Sequence, residues 1–129
     1  MNQGRRGSRA ENQVADHLRS LGYDVIRSAA SKGSADLVAV TERWVLFVQV
    51  KICANGKSYT QLTPAERGQL VRVAERVPGG HGFPVVAQVR PGSGPRPLVI
   101  EYHQLFDTGP ADHCRWELEG APEVTGCGA

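Results

Sequence analysis

Two neighbouring predicted strands place three polar residues close together. Asp36 opens one strand directly after a Ser/Gly turn, and Gln49 and Lys51 close the next strand, two residues apart and on the same face. In a hairpin the start of one strand lies beside the end of the next, so we expect Asp36 to lie near Gln49 and Lys51. Carboxylate and amide oxygens can bind Mg²⁺, and a nearby lysine can orient a metal-bound water and stabilise phosphoryl charge. These residue types indicate metal-assisted hydrolysis of a phosphodiester.

A further carboxylate, Glu11, lies on the first predicted helix and could add a metal contact. Each residue also has a plainer interpretation. An aspartate is common where a turn enters a strand, Lys51 could be a solvated charge at a strand end, and Glu11 lies among basic residues that could pair with it. Spacing alone leaves both interpretations open.

The elements that must position these residues follow from hydrophobic spacing. Apolar residues recur every three or four positions before Gly22, which predicts an amphipathic helix ending there. A second helix should begin after Thr63, with Glu66 completing a capping box. The predicted order is a helix at 4–22, strands at 23–28, 36–40 and 44–51, a helix at 64–77, and strands at 85–89 and 98–102. This order predicts an α/β domain with a mixed five-stranded sheet flanked by helices.

Composition bounds the class of protein. The chain has 129 residues and a formal net charge of +2, and its longest apolar run is too short to cross a bilayer. Residues 1–96 hold 14 of the 15 basic residues and 7 of the 13 acidic ones, so a body of charge +7 precedes a tail of charge −5. A basic body indicates a polyanionic partner, nucleic acid first. Three widely spaced cysteines, Cys53, Cys114 and Cys127, fit a reducing compartment, so we expect a cytoplasmic protein with no membrane partner.

Two groups of motifs resemble a known family. The segment SKGSADLVA at 31–39, followed by VQVK at 48–51, resembles the active-site signature of the PD-(D/E)XK nucleases. The segment RGSRAE at 6–11, followed by LGYDVIRS at 21–28, is similar to the archaeal-type Holliday junction resolvases, which also occur in phages. The resemblance extends from about residue 4 to residue 89. It implies a restriction-endonuclease-like fold.

The resemblance also implies roles for individual residues. A homodimer would cleave four-way DNA junctions with Mg²⁺ or Mn²⁺ and no small-molecule cofactor, presenting two active sites to two opposing strands. The metal ligands would be Asp36, Gln49 and Glu11. The catalytic set would be Glu11, Ser31, Asp36, Gln49 and Lys51.

DNA contacts are implied for a second set of residues. Arg5, Arg6 and Arg9 match a basic N-terminal segment that meets the DNA backbone in this family, and Lys32 lies in the loop beside the active site. Phosphate contacts of this kind position DNA without reading its sequence, and they weaken steeply with salt.

Three positions depart from the family pattern. Gln49 stands where these resolvases usually have Glu, so one metal ligand is neutral and affinity for the ion should fall. Some Mrr-like restriction nucleases have Gln at this place, so activity remains the expectation. Ala35 replaces the proline of the superfamily motif, which affects turn stiffness more than chemistry. Asn12 replaces an arginine that often follows the helix glutamate.

Two other functions remain open. One is a nuclease of the same fold with another target, such as an Mrr-like or repair endonuclease acting on linear or modified duplex. The other is a non-catalytic DNA-binding module whose site decayed when Gln replaced Glu, although a binding module has no reason to keep Asp36, Lys51, Glu11 and Ser31 together. We expect a nuclease domain at 1–106. The acidic tail at 107–129 could pack as a final element, shield the basic face or be partly disordered.

Overall fold

The first helix and the sheet are joined by an apolar stripe. The computed structural model describes residues 2–27, 35–53, 62–90, 98–105 and 113–115. Helix α1 spans Asn2–Ser20, and its Ala10, Val14 and Leu18 are buried against the sheet. Gly22 follows with φ of +99°, the left-handed conformation that commonly ends a helix. The predicted helix and its glycine stop are therefore confirmed.

The sheet is mixed because one connection between neighbouring strands is a helix. Strands β1 to β3 form an antiparallel meander, β3 pairs with β4 in parallel, and β4 to β6 are again antiparallel. Helix α2 connects the parallel pair, as a parallel connection requires. The elements after α1 are β1 (Asp24–Arg27), β2 (Leu37–Val40), β3 (Val45–Ile52), α2 (Pro64–Glu75), a 3₁₀ turn (Pro78–Gly80), β4 (Gly82–Arg90), β5 (Val99–Leu105) and β6 (His113–Arg115).

The two helices cover opposite faces of the sheet. Consecutive residues of β4 point to opposite faces: Val85 packs in the cluster beneath α1, whereas Val86 packs in the cluster beneath α2. Leu70 of α2 and Leu105 of β5 complete the second cluster, and both are almost fully buried. β4, one of the two central strands of the sheet, is therefore covered on both faces.

The five predicted strands and their mixed arrangement are confirmed. The described residues contain a sixth strand, β6, which pairs with the end of β5 and comes from the segment predicted as an acidic tail. Its three residues are too short to show a period, which is why sequence patterning missed it. The remainder of that tail lies outside the described residues. No helix in the described ranges is long and apolar enough to span a membrane.

Candidate active site

Asp36 lies just before β2, beside the end of β3. Its backbone N–H donates to the carbonyl oxygen of Val48 at 2.9 Å, and its side-chain Oδ2 accepts a hydrogen bond from the backbone N–H of Val50 at 2.9 Å. Both bonds join Asp36 to the backbone of the C-terminal half of β3. The carboxylate is thus held against the strand end that bears Gln49 and Lys51, as the hairpin spacing predicts.

Lys51 faces the second helix. Side chains alternate along a strand, so Gln49 and Lys51 share the face of Phe47, which packs against the cluster beneath α2. The Lys51 ammonium lies 3.1 Å from Oε1 and 3.0 Å from Oε2 of Glu66, the third residue of α2. The Lys51 and Glu66 side chains are 23% and 32% exposed, so the pair sits at the rim of the protein, partly shielded from water.

A capping box holds Glu66 in place. Thr63 is the N-cap of α2, its hydroxyl accepts from the Glu66 N–H at 3.1 Å, and its own N–H donates to Glu66 Oε1 at 2.9 Å. Burial alone would raise the pKa of the Glu66 carboxyl. The hydrogen bond from the Thr63 backbone and the ion pair with Lys51 outweigh that effect, so the Glu66 pKa lies below its ordinary value. Glu66 is therefore a fixed, ionised carboxylate.

Glu11 is paired with an arginine from the first strand. The Arg27 guanidinium donates to Glu11 Oε1 at 2.8 Å, and it also donates to the side-chain oxygen of Asn12. The Glu11 side chain is only 19% exposed. The helix and β1 thus meet through one guanidinium that bridges two consecutive helix residues. A guanidinium therefore does lie beside Asn12, but it belongs to Arg27 of β1 and not to a residue of the helix.

The pKa of Asp36 is affected by the charges of Glu11, Lys51 and Glu66. Burial raises the pKa of the Asp36 carboxyl, and the hydrogen bond from Val50 opposes that rise. The negative charges of Glu11 and Glu66 raise the pKa further, while Lys51 lowers it, and the net shift is upward. A group with this combination is poorly stabilised as an anion by the protein alone. A bound cation would remove that deficit.

The donors present fit a hard divalent cation. Mg²⁺ prefers carboxylate and amide oxygens and keeps several waters, so a site with few protein ligands suits it. Asp36 and Glu11 bring carboxylates, and Gln49 is a half-buried amide on the same strand end as Lys51. Among the described residues there is no group of three or more His, Cys, Asp or Glu side chains placed to hold a metal. The predicted set contains two carboxylates and one amide.

The other predicted residues divide into two sets. Arg5, Arg6 and Arg9 all belong to α1, and Arg9 is exposed. Ser31 and Lys32 lie outside the described residues, so their predicted positions in the active-site loop stay predictions.

Sequence reasoning missed two residues that contact the predicted site. It assigned Glu66 to the capping box alone, and it placed Arg27 only within a strand motif. A signal for Glu66 existed, because a helix that connects two parallel strands begins near the carboxyl end of the first, where Lys51 lies. Arg27 has no comparable signal, since its contact depends on how α1 packs across β1.

The fold and this site define a class of protein. An aspartate before one strand and a lysine at the end of the next, on a mixed sheet between helices, form the PD-(D/E)XK nuclease arrangement that the motifs predict. The family model for the archaeal Holliday junction resolvase (Hjc) matches residues 2–103, and the chain belongs to this family. It is accordingly a nuclease that acts on DNA.

A solved structure agrees with the family assignment. The fold is similar to that of Hjc from Archaeoglobus fulgidus, a Holliday junction resolvase from an archaeal hyperthermophile, with a TM-score of 0.56. The two chains are 25% identical, and the match covers 75% of this chain and 70% of that chain. No curated protein matches the chain.

Proposed function

We propose that this protein is a Mg²⁺- or Mn²⁺-dependent endonuclease that cleaves four-way DNA junctions by phosphodiester hydrolysis. The observation that supports the proposal most directly is the position of Asp36. Its carboxylate is hydrogen-bonded to the end of β3, within the electrostatic reach of Lys51 and of the Glu11 and Glu66 carboxylates. Family membership supplies the junction as the substrate.

Within this proposal Asp36, Gln49 and Glu11 hold the divalent cation. When bound, the cation would supply Lewis-acid stabilisation of the phosphate and lower the pKa of an attacking water. Lys51 keeps a positively charged donor at the strand end, where its Nζ can orient the attacking water or contact a phosphate oxygen. Arg27 holds the Glu11 carboxylate in place. Ser31 is the remaining catalytic candidate, contacting phosphate or a metal-bound water.

Junction recognition would come from charge and symmetry. Arg5, Arg6, Arg9 and Lys32 would contact DNA phosphates, which fixes the position of the duplex arms without reading bases. A homodimer would present two equivalent sites to a substrate that itself has two-fold symmetry. Specificity would then depend on the spacing and orientation of the two sites.

The protein also has a proposed domain organisation and a proposed cellular compartment. We expect residues 1–106 to be the nuclease domain, with the acidic tail at 107–129 contributing β6 to its sheet. Cys53, buried in the core, is a free cysteine, and we propose that the protein works in the cytoplasm, where thiols stay reduced.

One assay tests the activity. The full chain is incubated with a synthetic immobile four-way junction and with a linear duplex of matched sequence, each with and without Mg²⁺, beside Asp36→Asn. We expect paired, symmetric nicks in the junction that need the metal ion and that fall at least about 100-fold in the variant.

Other results identify the alternatives. Equal cleavage of the linear duplex would indicate a nuclease with a broader duplex target instead of a junction resolvase. Tight junction binding without cleavage in either Mg²⁺ or Mn²⁺ would leave a DNA-binding module. Light scattering of the free protein checks the dimer, and a monomer that cuts both strands symmetrically would contradict the two-site model.

A further inference from the structure

The charges of the proposed metal site nearly cancel if Glu66 is left out. Asp36 is offset by Lys51 on the neighbouring strand, and Glu11 is paired with Arg27 at 2.8 Å. Gln49 adds an amide dipole but no charge. A site with no net negative charge has little electrostatic attraction for a divalent cation, since hard cations in proteins are bound chiefly by carboxylates.

Glu66 changes this balance. Both of its oxygens lie within 3.1 Å of the Lys51 ammonium, which places its carboxylate at the end of β3 that also bears Gln49. The capping box with Thr63 fixes its backbone and one of its oxygens. Its negative charge also acts on Asp36. Glu66 is thus a carboxylate at the end of β3 that belongs to α2 and not to the strand, although Glu11, Asp36 and Glu66 do not together form a three-residue metal group in the described part of the chain.

We propose that Glu66 supplies the acidic charge that position 49 lacks, and that it holds the divalent cation at the site together with Asp36. This inference rests on the proposed metal-dependent nuclease function. It explains how the chain can have Gln at position 49 and still bind a cation, because the missing carboxylate is contributed from the first turn of the helix that faces the same strand end.

The competing explanation is that Glu66 serves only the helix. In that case its carboxylate caps α2 and pairs with Lys51, and removing its charge would leave cation binding unchanged. Glu66→Gln separates the two explanations, since glutamine at this helix position can also return a hydrogen bond to the N-cap backbone N–H. The variant therefore keeps the capping box and the side-chain length while removing the charge.

The experiment is a double-mutant cycle read out by Mn²⁺ binding to the full chain without DNA, using calorimetry. Glu66→Gln should weaken Mn²⁺ binding by about tenfold or more. Gln49→Glu in that background should return the affinity to within about threefold of wild type, whereas Gln49→Glu alone should change it by less than about threefold. The matched control is Glu75→Gln, which removes the same charge from the exposed last residue of α2 and should leave Mn²⁺ affinity unchanged.

Several results would overturn the inference. Wild-type Mn²⁺ affinity in Glu66→Gln would do so, as would a double variant that stays as weak as the single one. An increase in Mn²⁺ affinity of about tenfold or more in Gln49→Glu alone would show that the wild type lacks this acidic charge. This measurement does not depend on whether Glu66→Gln folds. Thermal unfolding by circular dichroism checks that each variant is folded.

The failure of this inference differs from the failure of the proposed function. A wild-type protein that binds no Mn²⁺ and cuts no junction would overturn both. A wild-type protein that binds Mn²⁺ and cuts the junction, while Glu66→Gln binds Mn²⁺ equally well, would overturn only the role of Glu66.

Discussion

Arg27 reaches from β1 to the first helix, where its Nη2 donates to Oε1 of Glu11 at 2.8 Å. The same guanidinium donates to the side chain of Asn12, so one cation orients two consecutive residues of α1. Because Glu11 acts with Asp36 in the proposed site, Arg27 is a positioning residue that fixes where the Glu11 carboxylate points. Glu11 and Arg27 are 16 residues apart in the chain, and the packing of α1 against β1 brings their side chains together.

Arg27→Gln should therefore reduce activity much more than stability. Partners that orient a metal-site residue typically matter by about 10- to 100-fold in activity or metal affinity, whereas a partly exposed ion pair contributes about 0–1 kcal/mol to folding. Junction cleavage rates and urea midpoints measure the two effects. The control is Arg19→Gln, which removes an exposed pair with Asp16 on the same helix and should change neither. Full activity in Arg27→Gln would contradict the positioning role.

Asp36→Asn should abolish cleavage and yet stabilise the metal-free fold at neutral pH. Burial, the first cause, raises the pKa of the Asp36 carboxyl, and the nearby Glu11 and Glu66 add to the rise. A carboxyl whose pKa is raised by folding binds its proton more tightly in the folded state, so its ionisation lowers stability as the pH rises. Asparagine keeps an oxygen that can accept from the Val50 N–H but never ionises.

The measurement for Asp36→Asn is the urea midpoint in EDTA at several pH values. We expect the variant to exceed wild type at pH 7 and the difference to shrink as the pH falls through the raised pKa toward the ordinary value. Asp24→Asn, an exposed site on β1, is the matched control and should show no such trend. A variant less stable than wild type at pH 7 would mean that the carboxylate charge is favourable in the fold.

Two glycine substitutions should change stability in opposite directions. An added Cβ meets nothing within 4 Å at either Gly22 or Gly68, so contacts do not distinguish them. Gly22 has φ of +99°, where an L-residue is strained, and Gly22→Ala should lower the free energy of unfolding by about 1–2 kcal/mol. Gly68 lies inside α2, where alanine is preferred over glycine, so Gly68→Ala should raise it by about 0.5–1 kcal/mol.

Chemical denaturation of the two glycine variants beside wild type tests this pair. Gly22→Asn adds a further comparison, because asparagine tolerates the left-handed region better than alanine and should cost less. Equal and small effects at both positions would show that backbone conformation does not control stability at the end of α1.

The contact between α1 and the sheet should dominate the stability of the N-terminal half. Leu18 is fully buried in the cluster beneath α1, and Leu18→Ala should cost about 2–5 kcal/mol, as other buried leucines do. Ile26 lies on β1 but is 62% exposed, and Ile26→Ala should change the free energy of unfolding by less than about 0.5 kcal/mol. Urea unfolding followed by circular dichroism measures both. A large loss at Ile26 would indicate that a partner covers this residue in solution.

The features that the sequence determined by itself are those set by local spacing. The apolar stripe of α1 and its glycine stop, the Thr63 and Glu66 capping box, and the hairpin that brings Asp36 to the end of β3 all follow from side chains close together in the chain. Helix periodicity, caps and strand alternation depend on neighbouring residues, so a sequence pattern is sufficient to predict them.

Other contacts join residues from different elements, and only the tertiary structure determines them. Lys51 meets Glu66 because β3 and β4 are parallel and the helix between them begins at the end of β3. Arg27 meets Glu11 because α1 packs across β1, and β6 joins the sheet because the edge of β5 is open to it. No local period encodes these pairings, since each depends on the order of strands in the sheet and on which face a helix covers. The charge of the proposed metal site is therefore a property of the assembled fold, and the motif residues account for only part of it.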